Sequence, residues 1–129
     1  MYQTFNHAKG CNIWHLQWCT KYRYQMFRHQ KLRSLCEIAI REGCTKNKIE
    51  IVELNVQPDH IHLVANLPRG MTDIKALQLL KGFTAFILFR LVPEFRKRYP
   101  RGHLWSRGSF ASTVGYTQLD IVVNYVRNQ

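Results

Sequence analysis

Two histidines separated by a single residue, His60 and His62, are the first chemical feature of this sequence. They lie in the alternating segment 60–66, which predicts a β-strand, and the two-residue repeat of a strand directs both imidazoles to one face. Neutral imidazole is a common ligand for divalent metals, and a pair fixed on a strand leaves coordination positions open for substrate. Two solvated or hydrogen-bonded histidines would produce the same pattern, so the pair alone does not establish a metal site.

A tyrosine and an amide share one flank of the last predicted helix, about 117–129. The apolar stripe of this helix comprises Leu119, Val122, Val123 and Val126. At 3.6 residues per turn, Tyr125 and Gln129 lie one turn apart at the edge of that stripe. The alternative is a boundary tyrosine that packs its ring and exposes its hydroxyl to water.

The elements that must position these side chains follow from periodicity. Segment 12–24 predicts a strand that runs into a basic stretch, and segment 27–43 predicts a helix ending at Gly43. Segments 48–57 and 60–66 predict a hairpin with a turn at Pro58 and Asp59, and a change of phase at Ile51 and Val52 indicates a bulge.

A second long helix is expected from its Thr72 cap to Pro93, with apolar positions that include Ile74 and Leu91. Segment 105–114 then predicts a turn at 106–108 followed by a short strand. The resulting order, β-α-β-β-α-β plus a C-terminal helix, is typical of a ferredoxin-like split β-α-β sandwich: an α+β fold with an antiparallel sheet and helices on one face.

Composition limits the class of protein. The 129 residues suit one domain, 1–129, and no apolar run is long enough to span a bilayer. Segment 1–10 is polar and lacks a signal-peptide core, so we expect a soluble, cytoplasmic protein in which the four cysteines are reduced. The 19 Lys and Arg against 8 Asp and Glu, a net charge of +11, imply a polyanionic partner, although a basic protein without catalysis would share this charge.

Several segments together resemble the single-tyrosine HUH transposases, the TnpA-type enzymes of the smallest insertion sequences. They are WCTKYR at 18–23, QPDHIHLV at 57–64, LWSRG at 104–108, STVG at 112–115 and NYVRNQ at 124–129. These segments occur in the family's order across nearly the whole chain. Threonine at position 20 stands where the family often has proline.

The resemblance implies a metal-dependent enzyme that cleaves and rejoins single-stranded DNA. Tyr125 would become attached to a 5′ phosphate, while His60, His62 and the side-chain oxygen of Gln129 would bind Mg²⁺ or Mn²⁺. Because one phosphodiester is exchanged for another, rejoining needs no nucleoside triphosphate, in agreement with the lack of a GxxxxGK phosphate loop in the sequence.

The resemblance also implies partners. The family recognises hairpins at element ends and acts as a homodimer, and Gly115 could allow the last helix to place Tyr125 in its own or its partner's site. We expect no membrane partner. The candidate DNA contacts are Lys21, Arg23, Lys81 and Arg107 for phosphates, with Trp105 or Tyr22 for base stacking.

Two other readings remain open from the sequence. A non-catalytic nucleic-acid-binding module can have the same element order, although the sequence lacks the aromatic run of RNA-recognition domains. A related palindrome-processing enzyme, or a replication-type or transfer-type nickase, would use the same scaffold.

Overall fold

The computed structural model describes residues 11–129, so the expectation for segment 1–10 lies outside the described residues. The strands are β1 (Ile13–Thr20), β2 (Glu50–Val56), β3 (His60–Asn66) and β4 (Trp105–Thr113). The helices are α1 (Gln30–Lys46), α2 (Asp73–Leu91), α3 (Phe95–Arg98) and α4 (Leu119–Arg127), and short 3₁₀ turns occupy Lys21–Arg23 and Tyr116–Gln118. No helix in this described part is long and apolar enough to cross a membrane.

The four strands form one antiparallel sheet in the order β2-β3-β1-β4. Each of the two halves, β1-α1-β2 and β3-α2-β4, leaves a gap that a strand of the other half fills. This arrangement confirms the predicted split β-α-β sandwich with its additional C-terminal helix.

The two faces of the sheet have different partners because side chains alternate along each strand. One face carries Leu16 and Leu63 in the main core with α1 and α2. The other face carries Ile13 and Val64, which pack against α4 through Val123. The histidines of β3 share the second face, so α4 covers the side of the sheet on which they lie.

The hairpin between β2 and β3 forms as predicted. Gln57 donates its backbone N–H to the carbonyl of His60 at 2.8 Å across the Pro58–Asp59 turn. The register of β2 against β3 shifts between Ile51 and Glu53, which confirms the bulge. This turn places His60 at the first position of β3.

The prediction that α1 ends at Gly43 was wrong. The helix continues to Lys46, and Gly43 is buried in its interior, where a Cβ would lie 3.0 Å from Cδ2 of Phe83 and 3.2 Å from Cδ2 of Leu80. The glycine therefore permits close approach of α1 to α2. The helix ends at Asn47, whose side chain donates to the Gly43 carbonyl at 2.8 Å.

The predicted turn at 106–108 was also wrong, because these residues belong to a continuous nine-residue β4. The register against β1 shifts here, since Trp18 pairs with Ser109 whereas Thr20 pairs with Trp105. The sequence signal reflected a bulge in the strand and not a reversal of the chain.

The remaining differences concern helix limits. Thr72 caps α2 as predicted by accepting a hydrogen bond from the Lys75 N–H at 3.1 Å, but Ile74 and Leu91 are exposed and lie outside the buried stripe. The terminal helix is shorter than the predicted 117–129, and Gln129 lies beyond its C-cap at Asn128.

Candidate active site

His60 and His62 lie on the same face of β3, as the strand repeat requires. Their ring centroids are 5.0 Å apart with the planes nearly perpendicular. His62 is only 2% exposed, and burial together with the nearby His60 and His15 lowers its pKa to about 4. The imidazole is therefore neutral at physiological pH, which is the form that binds metals.

The orientation of His60 is set by the residue before it. Asp59 accepts a hydrogen bond from Nδ1 of His60 at 2.7 Å and another from Nε of Arg23 at 3.0 Å. Partial burial raises the pKa of Asp59, but the hydrogen bonds and charges of His60 and Arg23 outweigh burial and hold it below its ordinary value. The ionised carboxylate thus fixes the proton of His60 on Nδ1 and leaves Nε2 as a ligand atom.

A third histidine, His15 of β1, belongs to this site and was not found from the sequence. Its Nε2 lies 3.1 Å from Nδ1 of His62, and the two rings are stacked with centroids 5.3 Å apart. Burial lowers the pKa of His15, so this contact joins two neutral rings, one donating and one accepting. The alternation of β1 predicted a face for His15, but only the pairing of β1 with β3 brings it against His62.

Tyr125 of α4 is 56% exposed and points its ring towards these imidazoles. Its centroid lies 6.1 Å from that of His62 and 6.2 Å from that of His15, both edge to face. The phenol and the histidines therefore meet within one chain. A nucleophile that is open to solvent beside two potential metal ligands is suited to attack on a phosphate.

Gln129 turns back along α4 from its position beyond the helix. Its Nε2 donates to the Tyr125 carbonyl at 3.0 Å, and its backbone carbonyl accepts from Nε2 of Gln57 at 3.1 Å. Asn55 of β2 donates to the Val126 carbonyl at 2.8 Å. Two β2-side amides thus hold the C-terminal end of α4, and Oε1 is the atom of the Gln129 amide that remains for a cation.

The donor set fits a divalent ion with few protein ligands. Within residues 11–129, no three His, Cys, Asp or Glu side chains are placed to hold a metal together. A site here would therefore comprise the two imidazoles of β3 and a neutral oxygen, for which the Gln129 amide is the candidate. His60 and His62 are each oriented by a hydrogen bond at Nδ1, which leaves Nε2 of both rings for a metal.

The predicted DNA contacts have different environments. Lys21 is half-buried, Arg107 is exposed, and Arg23 is exposed but paired with Asp59. The ammonium of Lys81 donates to the carbonyls of Ser106 and Arg107 and to Oγ of Ser109, so it supports the bulge of β4.

One of these predictions needs correction. Trp105 is only 8% exposed, packs against Trp18 and Phe27, and donates its indole N–H to Thr84 at 3.0 Å. It belongs to the core and only edges two surface depressions, so little of its ring is accessible to a base. Tyr22, at 67% exposure, is the accessible aromatic of the two candidates.

Comparison with known proteins identifies relatives among the transposases. The chain is 28% identical over 116 residues to the ISDra2 transposase TnpA of Deinococcus radiodurans, which covers 90% of this chain and 82% of the relative. It is also 28% identical over 123 residues to the transposase for insertion sequence element IS200 of Salmonella typhimurium, covering 95% of this chain and 80% of the relative.

Two solved structures share the fold. A crystal structure assigned as a transposase from Deinococcus radiodurans superposes with a TM-score of 0.75 at 28% identity, over 92% of this chain and 91% of that one. A REP-associated tyrosine transposase bound to a REP hairpin superposes with a TM-score of 0.62 at 17% identity, over 89% of this chain and 64% of that one. The sequence model of the family described as "Transposase IS200 like" matches residues 9–129, and this protein therefore belongs to the IS200-like transposase family.

Proposed function

We propose that this transposase cleaves and rejoins single-stranded DNA through a covalent 5′-phosphotyrosine at Tyr125. The observation that carries the proposal is the position of the exposed Tyr125 ring, 6.1 Å from the buried imidazole of His62. An exposed tyrosine elsewhere on the surface would have no neighbouring groups to assist a phosphate. Tyr125 instead lies beside the face of the sheet on which His15, His60 and His62 contact one another.

A divalent cation, Mg²⁺ or Mn²⁺, is proposed as the cofactor, held by His60, His62 and Oε1 of Gln129. When bound, it would supply positive charge that activates the phosphate and stabilises the departing oxygen. The burial of His62 supports this role because it keeps the imidazole unprotonated, and Asp59 supports it by orienting His60. Gln129 can turn its oxygen inward without losing the hydrogen bond that its backbone carbonyl accepts from Gln57.

In the proposed cleavage step, a bond forms between Oη of Tyr125 and the phosphorus as the bond from phosphorus to the 3′ oxygen breaks. The phenol loses one proton and the released 3′ oxygen gains one. One phosphodiester replaces another, so a 3′ hydroxyl can reverse the step without a nucleoside triphosphate. The hydrogen bonds from Asn55 and Gln57 hold α4 so that the phenol remains beside the histidines during both cleavage and rejoining.

The proposed substrate is a hairpin formed by single-stranded DNA at the ends of an insertion element, bound by a homodimer. A net charge of +11 supports a nucleic-acid partner, and a protein of the same fold is bound to a REP hairpin. The insertion-sequence transposases are more similar in sequence, at 28% identity against 17% for the REP-associated protein. This difference favours the insertion-sequence reading over a palindrome-processing role.

The test is the formation of a denaturant-resistant adduct between the protein and labelled single-stranded DNA from its own flanks, with Mg²⁺ or Mn²⁺. Wild type should form the adduct, duplex DNA should give none, and EDTA should abolish it. Tyr125→Phe should bind the hairpin normally without an adduct. Tyr116→Phe is the matched control, because Tyr116 is similarly exposed and lies just before α4.

The catalytic proposal is overturned if wild type binds the hairpin but forms no adduct in the presence of Mn²⁺. The protein would then be a binding module. An adduct that persists in Tyr125→Phe would assign the nucleophile to another residue.

A further inference from the structure

A basic groove runs along the face of α2 that points away from the main core. Its largest part is a depression of about 620 Å³ between α2 and the chain that leads into β4, with Lys81, Phe86, Arg90 and Arg107 among its lining residues. A second depression of about 240 Å³ shares His103 and Arg107 with the first. Together with a third depression described below, they form what we call the α2–β4 groove.

The groove leads towards the candidate active site. The second depression also contains Lys21, which it shares with a third depression of about 300 Å³ lined by Tyr22 and Arg101. Lys21 and Tyr22 lie in the 3₁₀ turn whose last residue, Arg23, binds the Asp59 carboxylate. One end of the groove therefore lies next to Arg23, which contacts Asp59, and Asp59 in turn contacts His60.

The charges that line the groove all have one sign. Lysine or arginine side chains contribute to each of its three parts, and no aspartate or glutamate does so among the described residues. Arg90, Arg101 and Arg107 are exposed and form no ion pair with a carboxylate in residues 11–129. Within residues 11–129 no carboxylate compensates these positive charges, which is the arrangement expected of a phosphate track.

Aromatic rings alternate with these cations. Phe86 is 58% exposed although it lies on a helix with a buried face, and the guanidinium of Arg90 stacks on its ring at 5.5 Å. Arg96 stacks on Phe89 at 4.8 Å, and Lys21 lies 5.4 Å from the ring of Tyr22. Exposed rings beside cations favour unpaired bases, which can stack on them, over duplex DNA, whose bases are already stacked.

The backbone around Tyr22 adopts an unfavourable conformation that keeps its side chain exposed. Tyr22 and Arg23 both have left-handed φ values, 64° and 54°, which residues with a Cβ rarely adopt. The turn is held by two hydrogen bonds at Lys21, whose N–H donates to the Leu104 carbonyl at 2.8 Å and whose carbonyl accepts from the Tyr99 hydroxyl at 2.7 Å. Backbone strain that the surrounding structure maintains is common at binding sites.

We propose that the α2–β4 groove binds the unpaired DNA strand next to the cleavage site, with phosphates on its cations and bases on Phe86 and Tyr22. This inference rests on the proposed function for the identity of the nucleic acid. It adds a path for the strand, from the start of β3 across the start of β4 to α2. Lys81, whose donors are committed to β4, maintains the wall of the groove and does not itself contact phosphate.

The test is fluorescence anisotropy with a labelled oligothymidylate of about 20 nucleotides, which forms no hairpin, in EDTA so that no cleavage occurs. The groove variant is Arg90→Gln/Arg101→Gln/Arg107→Gln, and the matched control is Lys31→Gln/Arg41→Gln/Lys75→Gln, which removes three exposed charges outside the groove. The groove variant should bind at least about tenfold more weakly, with a salt dependence of log K lower by about 2, since each single-strand phosphate contact contributes about 0.7. The control should bind within about twofold of wild type.

Phe86→Ala separates stacking from charge. It should weaken binding of the oligonucleotide about tenfold without changing the salt dependence. Equal losses in the groove and control variants would overturn the groove, because binding would then follow net charge alone. A duplex of equal length that binds as tightly as the single strand, and loses affinity equally in the groove variant, would overturn the single-strand assignment.

The groove proposal and the proposed catalytic function can fail independently. A wild type that binds oligothymidylate through the groove but forms no adduct overturns the chemistry and leaves the groove intact. A wild type that forms the adduct while the groove variant binds normally overturns the groove alone.

Discussion

At the residue scale, the site depends on hydrogen bonds that orient imidazoles. Asp59 fixes the proton of His60, and His15 contacts the Nδ1 of His62. Each candidate ligand therefore has one nitrogen occupied by the protein and one left for an ion. We therefore expect His15 and Asp59 to influence metal affinity without being ligands themselves.

His15→Phe is expected to lower the affinity for Mn²⁺ about 10- to 100-fold, because His62 loses the hydrogen bond that fixes its tautomer. Calorimetric titration without DNA measures this directly. His15→Gln, which can restore a hydrogen bond, should recover part of the affinity. Phe110→Leu alters the packing beside His15 and leaves its hydrogen bond intact, so it should change affinity little. Wild-type affinity in His15→Phe would contradict the positioning role.

The free energy of unfolding is expected to rise with pH between about 4 and 6.5 because of His62. Burial and the neighbouring histidines hold its folded-state pKa at about 4, against an ordinary value of 6.5. As pH falls through 6.5, the unfolded chain gains a proton that folded His62 does not take up. Stability that is present above pH 6.5 is therefore lost towards pH 4, by up to about 3 kcal/mol.

Urea denaturation in EDTA across this pH range provides the measurement. His62→Gln should weaken the pH dependence and leave the part that His15 contributes, and the control His29→Asn replaces an exposed histidine outside the site. Identical profiles for wild type and His62→Gln would show that the buried imidazole does not govern acid stability.

At the element scale, β2 holds the C-terminal end of α4, the helix that carries Tyr125, the proposed nucleophile. Asn55 donates to the last carbonyls of α4, and Glu53 pairs with Arg127 at 3.0 Å. The four C-terminal carbonyls of a helix lack partners within it, so side-chain donors at this end stabilise the helix in one position. The central strand carries the histidines, and its neighbour at the edge of the sheet holds the helix with the tyrosine.

Asn55→Asp is expected to accelerate amide hydrogen exchange in α4 and to reduce the yield of the DNA adduct. The substitution keeps the acceptor for Gln57 but places a negative charge against carbonyls, at a cost of about 1–2 kcal/mol. Glu53→Gln, which breaks only a partly exposed ion pair, should cost at most about 1 kcal/mol. Similar exchange rates in both variants would contradict a special role for Asn55.

At the scale of the whole molecule, the sheet separates the candidate active site from the proposed DNA groove. α4 and the histidines occupy one face, whereas α1 and α2 cover the other and α2 presents the basic groove. The 3₁₀ turn at the end of β1 connects these regions through Arg23 and Asp59. In the proposal, a strand of DNA bound along α2 would continue past this turn towards Tyr125.

The protein is expected to form a dimer on hairpin DNA, since one proposed nucleophile per chain provides one cleavage per site and an element has two ends. Light scattering after gel filtration should give twice the 15.3 kDa of one chain, in addition to the DNA. A complex with a single protein chain under all conditions would argue against this assembly.

Mixed dimers would identify the subunit that supplies the nucleophile. With α4 on its own sheet, as in this structure, a dimer of Tyr125→Phe and His62→Gln chains contains two incomplete sites and should form no adduct. An adduct on the His62→Gln chain would show instead that α4 crosses between subunits.

The sequence alone determined the features that depend on local repeats. The alternation of β3 placed His60 and His62 on one face, the helical period of α4 placed Tyr125 at its exposed edge, and the turn residues Pro58 and Asp59 predicted the hairpin. The element order identified the fold because a chain of short connections has few compact arrangements of these elements.

Only the tertiary structure decided which distant residues meet. The approach of His15 to His62 requires the order and register of β1 and β3, and the burial of Trp105 requires α2 beside β4. The residue type of Gly43 predicted the end of a helix, but in the structure Gly43 lies inside α1 where it contacts α2. Strand order, register and helix packing arise from contacts between residues far apart in the chain, so no local periodicity encodes them.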